Sequence, residues 1–437
     1  MTPSQEKVDK LYSLIANEED ARACKDISEQ ACTEVPRNFF LILISQTLTS
    51  LGDLLTSPKT VLTWLMTAVG APAALIAWLV PIRESGSLLP QLLIGAWVRQ
   101  HALRKPFLVL GAIIQALSLF GMVLAVLWLE GLSAGLAILG LLVAFSLGRG
   151  LNSVAMKDVQ GKTIPKQRRG RLTGLASTVS GLLTTGVSIW LLSSAKEAGV
   201  LIYVLLLLGA AMLWFGAATL FSQIDEEPGE TSGGGNAMQQ AFANLALLRD
   251  DVLFRHFVIT RALLLSSALA TPFLIVLAQQ HSSSGALLGA FLLASSLASL
   301  LSSSIWGWLA DWSSRRVLLL AAALASVFCF IAAIASQLDG ALVASIWFYP
   351  LLFMLLSIAH AGVRVGRKTY LLDMAGGNKR TDYVSVSNTV IGVLLLLTGL
   401  VSAVVASWSL FAVLVLFAAM SGLGVLFSWR LKEVTAV

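Results

Sequence analysis

The sequence contains little charge. Only 12% of its 437 residues are Asp, Glu, Lys or Arg, whereas 57% are hydrophobic, and the mean hydropathy is +0.81. An ordinary soluble domain has about 25% charged residues. The composition therefore excludes a typical soluble enzyme or nucleic-acid-binding domain and indicates a membrane protein. We predict that it is not an enzyme.

Cysteine and histidine are also scarce, with three and four copies, and none of them has the spacing of metal ligands. A near match to a phosphate-binding loop has Met156 where that motif requires glycine, and Pro165 follows it. Residues 1–37 lack the apolar core of a cleavable signal peptide. We therefore predict no metal, nucleotide or other cofactor, so any transport must use an ion or solute gradient.

Long apolar runs make up most of the chain. About 20 apolar residues suffice for a helix to cross a bilayer, and twelve runs meet or approach this length. In chain order we number them spans 1 to 12: 38–68, 72–98, 106–129, 132–157, 170–194, 199–222, 252–279, 284–310, 315–336, 341–371, 382–406 and 409–430. The sequence predicts an all-α membrane protein with 12 transmembrane helices in two pseudo-symmetric six-helix bundles.

The domain boundaries follow from these runs. The bundles occupy 38–222 and 252–430, and the polar segments 1–37, 223–251 and 431–437 are an N-terminal segment, a linker and a tail. In the first segment an amphipathic helical pattern includes Tyr12. That helix either packs on the bundles or docks a partner.

Basic residues predict the orientation. With a cytoplasmic N-terminus, the inner segments contain nearly all loop Lys and Arg, and the outer loops contain only Lys196. Cytoplasmic loops of membrane proteins are enriched in these residues. We therefore expect both termini to be cytoplasmic, in a monomeric protein of the plasma (bacterial inner) membrane.

The two halves repeat each other. Gly95 and Arg104 recur as Gly307 and Arg316 after an offset of 212 residues. Pro58 recurs as Pro272 after 214 residues. Such repeats are typical of transporters whose halves rock around a site near the membrane midplane.

The chain resembles the major facilitator superfamily in its two six-span halves and in the turn after span 8. That turn contains Gly307, Asp311, Arg315 and Arg316. The resemblance implies secondary transport through a cavity between the halves, and a latch role for Asp311. In the first-half copy Arg99 replaces the aspartate, so we expect a one-sided latch. The Gly-Pro signature of family antiporters is missing from span 5, which disfavours drug antiport.

Polar side chains within the spans are the candidate site. An ionised side chain at membrane depth costs about 3 kcal/mol, so it normally faces a cavity or a partner. If span 2 is one helix, its polar residues share a sector of about 100°. The substrate or coupling candidates are Gln46, Thr49 and Asp53 on span 1, Arg83, Glu84, Ser87 and Gln91 on span 2, Arg149 and Asn152 on span 4, and Arg261 on span 7.

Each charged candidate has an alternative interpretation. Asp53 either couples transport or only pairs with a neighbouring arginine, and Arg83 and Glu84 could form a local ion pair. Arg261 needs a partner across the bundle or an anionic ligand. We expect Lys59 to extend to the membrane interface.

We therefore predict a secondary active transporter, coupled to protons, for a small polar or anionic solute. Its expected partners are the solute, protons and the lipid bilayer, with no nucleic acid. The three candidate arginines outnumber the two carboxylates, which favours an anion. The alternatives are a proton-driven exporter of amphiphilic compounds, and a non-transporting sensor or lipid scramblase.

Overall fold

The computed structural model describes residues 12, 29–194, 200–229, 231, 244–281, 285–374 and 379–434. The secondary structure of these residues is helical and contains no strand. Eleven helices among them are long and apolar enough to cross a membrane. The prediction of an all-α membrane protein is confirmed.

Most spans are single helices. Spans 3 to 6 are Lys105–Trp128, Gly131–Thr163, Lys166–Ser194 and Val200–Ser222, and spans 8 to 12 are Gly285–Trp312, Ser314–Ala335, Phe348–Met374, Lys379–Trp408 and Leu410–Arg430. Span 1 begins at Glu29, inside the predicted N-terminal segment. Tyr12 packs edge-on against Phe39, whereas the rest of its amphipathic pattern lies outside the described residues. The predicted domain boundaries stay predictions.

Span 2 is the exception, and the prediction of one continuous helix was wrong. It consists of three segments, Ala73–Ile76, Leu79–Leu88 and Gln91–Arg99. Proline removes a backbone donor, and its ring clashes with the carbonyl four residues earlier. Pro81 therefore interrupts the helix near Ala77, and Pro90 lies at the second break.

Spans 1 and 7 are also interrupted near their prolines. Span 1 ends its first segment at Leu55 and resumes as Val61–Ala68, and Pro58 lies in the interruption. The Thr63 hydroxyl donates to the Pro58 carbonyl at 2.7 Å. This bond satisfies a backbone acceptor next to the break in the helix. Span 7 is divided into Val252–Leu263, Ser266–Leu269 and Thr271–His281. Both halves therefore contain a broken first helix.

The two halves pack in the same way. Span 3 lies against spans 4 and 6, and span 9 lies against spans 10 and 12. Between the halves, span 2 packs on span 11 and span 5 on span 8, while the second segment of span 1 contacts the last segment of span 7. This arrangement leaves the polar residues of spans 1, 5, 8 and 10 around the centre.

The halves are sealed on one side of the membrane. We call the side where span 1 begins and span 12 ends the terminal face, and the other side the opposite face. Near the opposite face, a Cβ on Gly289 would lie 2.5 Å from the backbone nitrogen of Leu192. Beside this contact the Phe291 ring packs against Trp64 and Phe353, with centroids 6.2 and 5.3 Å apart. The central polar residues lie on the terminal side of this seal.

Candidate functional site between the two halves

One carboxylate binds two arginines in the first half. Arg83 Nη2 lies 2.7 Å from Asp53 Oδ1, and Arg149 Nη1 lies 2.6 Å from Asp53 Oδ2. The Arg83 side chain is only 4% exposed, and its guanidinium lies 4.7 Å from the centroid of the Phe145 ring. Three predicted candidates, from spans 1, 2 and 4, thus form one charged cluster.

Small residues bring these spans together. A Cβ on Gly86 of span 2 would lie 2.6 Å from the Cβ of Ser146 on span 4. This close approach allows Arg83, three residues earlier in span 2, to reach Asp53. Asp53 itself lies in the last turn before the first segment of span 1 ends.

Glu84 lies away from that cluster. Its side chain is exposed, and no ion pair within 4 Å involves it among the described residues. Arg149 and Arg83 of that cluster act on its charge from a distance, as do Lys59 and Arg367. Arg83 and Glu84 are neighbours on the segment Leu79–Leu88 and lie about 100° apart, so one is buried and the other exposed.

The other two candidates of span 2 do not join the charged cluster. The Ser87 hydroxyl donates to the Glu84 carbonyl of its own segment at 2.9 Å. Gln91 begins the next segment and is half-buried.

Arg261 is buried against neutral groups. Its side chain donates to Ser387 Oγ at 2.6 Å and to Asn388 Oδ1 at 3.0 Å, both on span 11. Only 6% of Arg261 is exposed, and no ion pair within 4 Å involves it in the described part of the chain. The sequence indicated that it needs a partner, but it did not identify Ser387 or Asn388.

A central cavity of about 410 Å³ lies between the halves. Its charged and titratable wall residues are Asp53, Lys59, His360 and Arg364. The expectation that Lys59 extends to the membrane interface was wrong, because the turn after Pro58 directs it to this wall. Hydroxyl groups on spans 1, 5, 8 and 10 form much of the remaining polar surface: Ser50, Ser57, Ser177, Ser180, Ser295, Ser296, Ser299 and Ser357.

A second cavity, of about 500 Å³, lies inside the first half. It contains five of the predicted candidates, together with polar groups that the sequence did not single out. The candidates are Gln46, Thr49, Asp53, Arg149 and Asn152. Both cavities are lined by Ser50, Asp53 and Ser177, so they meet at the carboxylate.

The latch candidates lie at the terminal face. Arg315 Nε is 3.4 Å from Glu433 Oε2, just after span 12. Arg316 is exposed, and its backbone N–H donates to Ser313 Oγ at 3.1 Å. Gly307 has open space beside it, and the side chain of Asp311 lies outside the described part of the structure. Arg99 is exposed and contacts the Gly95 carbonyl of its own helix.

Comparison with known proteins identifies the fold and the family of the second half. A sequence model of the Major Facilitator Superfamily matches residues 256–436. No curated protein sequence matches the chain.

Solved transporter structures share the fold over nearly the whole chain. A D-xylose–proton symporter has 14% identity and a TM-score of 0.68, and the match covers 91% of this chain and 98% of that chain. The nucleoside transporter NupG has 11% identity and a TM-score of 0.68, with coverages of 90% and 99%. The inward-open xylose transporter XylE from E. coli has 13% identity and a TM-score of 0.65, with coverages of 91% and 97%. The chain is therefore a membrane protein whose second half matches the Major Facilitator Superfamily model and whose overall fold is that of these solved transporters.

Proposed function

We propose that this protein is a secondary transporter that moves a small anionic solute through the central cavity by alternating access. The charge around the cavity carries this proposal. Asp53 is already shared by two arginines, whereas Lys59 and Arg364 line the cavity without an ion-pair partner within 4 Å among the described residues. An anion can supply the missing negative charge.

Two further cations strengthen the positive field. Arg261 and Arg367 interact electrostatically with each other, and Glu84 is the carboxylate whose charge acts on both. A low-dielectric cleft with an excess of one sign of charge concentrates ligands of the other sign. The cavity therefore favours an anion over a neutral or cationic solute.

We propose that a proton is the coupling ion and that Glu84 binds it. Both oxygens of Asp53 accept hydrogen bonds from guanidinium groups, which stabilises the ionised form. Glu84 is exposed and makes no such contact. The D-xylose–proton symporter among the structural neighbours supports a proton as the coupling ion.

Uptake of labelled solute into proteoliposomes tests the proposed function. Succinate, gluconate and glucose 6-phosphate are the anionic probes, and D-xylose is the neutral control. We expect anion uptake that increases with a proton gradient, at least a tenfold loss of apparent affinity in Arg261→Met, and little change in the exposed control Arg316→Gln. Glu84→Gln should abolish the proton dependence but retain anion exchange.

Three results would contradict the proposal. Uptake of D-xylose alone would exclude an anionic solute. No solute flux would indicate a sensor, and movement of labelled lipid without a gradient would indicate a scramblase.

We also propose that both termini face the cytoplasm of a bacterial inner membrane, as the distribution of basic residues predicts. Asp339 lies in the exposed connection between spans 9 and 10, and Arg316 lies at the terminal face. In a background without the native cysteines, Asp339→Cys should react with an impermeant reagent from outside, and Arg316→Cys only from inside. The reverse pattern would invert the orientation.

The one-sided latch remains our proposal for the terminal face. Asp311→Asn should increase the population that is open at this face, because a carboxylate near a facing helix N-terminus is stabilising by roughly 0.3–1 kcal/mol. Arg99→Ala should have little effect, since the exposed Arg99 side chain donates to the Gly95 carbonyl of its own helix. Equal shifts in cysteine accessibility would contradict a one-sided latch.

A further inference from the structure

Three cations at the centre of the molecule have no partner of opposite charge in contact. They are Lys59, in the turn after Pro58, and Arg364 and Arg367 of span 10, and the first two line the central cavity. Within the described ranges, none of these side chains makes a hydrogen bond or an ion pair within 4 Å. Arg364 is exposed, and Lys59 and Arg367 are half-buried. Their charged groups are therefore open to a ligand.

These cations act on one another across the interface between the halves. Lys59 belongs to the first half and interacts electrostatically with Arg364 and Arg367 of the second half. Glu84 is the carboxylate whose charge acts on both Lys59 and Arg367. The three cations exceed this carboxylate by two charges, and Arg261 adds a further positive charge. Because like charges repel, the site favours a ligand that supplies at least two negative charges.

Hydroxyl groups of the same cavity are also available to a ligand. A serine hydroxyl inside a helix often donates to the carbonyl four residues earlier, as Ser146 does at 2.7 Å. Ser295 and Ser299 of span 8 and Ser357 of span 10 line the central cavity. Their hydroxyls make no hydrogen bond in the part of the chain that the structure describes. Neutral donors therefore accompany the cations on this wall.

A phosphate group matches this set of donors better than a carboxylate does. A phosphate monoester carries about −1.5 to −2 charges at pH 7 and has three strong acceptor oxygens, whereas an ionised carboxylate has a single charge and two oxygens. Arginine binds phosphate through two parallel N–H bonds, and lysine binds it as a point charge. A phosphate also places both charges on one group, where the neighbouring cations can share them.

Building on the proposed function, we infer that the central cavity binds the phosphate group of a small phosphate monoester between Lys59 of the first half and Arg364 and Arg367 of the second. The solute class is thus a dianionic organic phosphate rather than a monocarboxylate. The cavity volume of about 410 Å³ lies in the range of small-molecule sites, roughly 300–1,000 Å³. A phosphate at this position also offsets the repulsion between cations of the two halves.

Two esters of similar shape test how much negative charge the cavity requires. At about pH 7.5 glucose 6-phosphate is mainly a dianion, whereas glucose 6-sulfate is a monoanion. In calorimetry with the purified full-length protein, we expect the phosphate to bind at least tenfold more tightly than the sulfate. Succinate has its two charges on separate carboxylates, and it should bind at least tenfold more weakly than the phosphate.

Variants of the cations test the location of the site. Lys59→Met and Arg364→Gln should each weaken binding of the phosphate at least tenfold. Because the Coulomb energy is proportional to the ligand charge, the loss for the sulfate should be about the square root of that factor, and the remaining sulfate binding shows that the variant is folded. Lys368→Met is the matched control, since Lys368 is an exposed cation of span 10 outside the cavity wall. It should change neither affinity more than twofold.

The outcomes separate this inference from the proposed function. Equal affinities for the two esters, or succinate binding as tight as that of the phosphate, would overturn the phosphate site but retain an anionic solute. Phosphate binding that neither Lys59→Met nor Arg364→Gln weakens would also overturn it. Binding of none of the anions would overturn the proposed function and the phosphate site together.

Discussion

At the scale of single residues, Asp53 balances two guanidinium groups that differ in exposure. Arg83 is 4% exposed and Arg149 is 41% exposed. Arg149 can be stabilised by water, whereas Arg83 depends on Asp53 and the Phe145 ring. Asp53 therefore contributes to stability mainly through Arg83.

We predict that Asp53→Asn destabilises the protein. Removing one partner from a buried ion pair costs roughly 3–5 kcal/mol, and the loss here should be smaller because Asp53 is 27% exposed. The unfolding temperature in detergent measures it. The control Glu84→Gln should have little effect, since Glu84 is exposed without an ion pair among the described residues. The double variant Asp53→Asn with Arg83→Gln should recover part of the loss. Equal losses of stability in Asp53→Asn and in the control Glu84→Gln would contradict this account.

The sequence identified these side chains better than their partners. Polar residues at helical spacing on span 1 indicated Asp53 and Gln46, and both line a cavity. The pairing of Asp53 with Arg83 depends on which face of span 2 meets span 4. The breaks at Pro81 and Pro90 set that face, and no local pattern fixes the phase across a break. Ser387 and Asn388 were missed because they lie in a polar run near the start of span 11, in which no spacing distinguishes them from Ser385 or Thr389.

At the scale of elements, each half has a carboxylate just after its last span. This carboxylate contacts the start of the third span of the same half, which is span 3 or span 9. Glu226 accepts hydrogen bonds from the backbone N–H groups of Arg104 and Lys105 at 2.6–2.9 Å, and it lies 2.9 Å from Lys162 Nζ. In the second half, Glu433 accepts from Ser313 at 2.5 Å. From sequence alone Glu226 is expected in the linker 223–251, because a carboxylate in a polar stretch gives no sign of burial.

We predict different effects for the two carboxylates. The Glu226 side chain is 0% exposed, so Glu226→Gln leaves the Lys162 ammonium and the start of span 3 without their anionic partner. Glu433 is 36% exposed, and exposed ion pairs contribute only about 0–1 kcal/mol. Thermal unfolding should therefore show a clear loss of stability for Glu226→Gln and little for Glu433→Gln. Equal losses would contradict a difference caused by burial.

At the scale of the whole molecule, the seal at the opposite face sets which state is populated. Hydrophobic length and internal repeats predict the two bundles from sequence. The state is not predicted, because under the proposed alternating access the same helices also pack in a state open at the opposite face. It depends on contacts between halves that are distant in sequence, such as Gly289 with Leu192.

We predict that Gly289→Ala favours the state that is open at the opposite face. The added Cβ would meet the backbone of Leu192 at 2.5 Å, and a backbone atom cannot rotate away as a side chain can. Gly186→Ala on span 5 is the matched control, because nothing lies within 4 Å of its Cβ position. Spin labels at Glu130 and Asp339 should report a longer distance in Gly289→Ala only. Unchanged distances would show that the seal tolerates the methyl group.

The composition of the seal also determines which physical conditions act on it. Its named contacts are aromatic rings and closely packed backbone, with no formal charge among them. Dissolved salt screens charges over about 8 Å at physiological ionic strength, but it hardly changes contacts of this kind. Opening this face instead exposes apolar surface, which raises the heat capacity. We therefore expect the opening of this face to depend on temperature rather than on ionic strength.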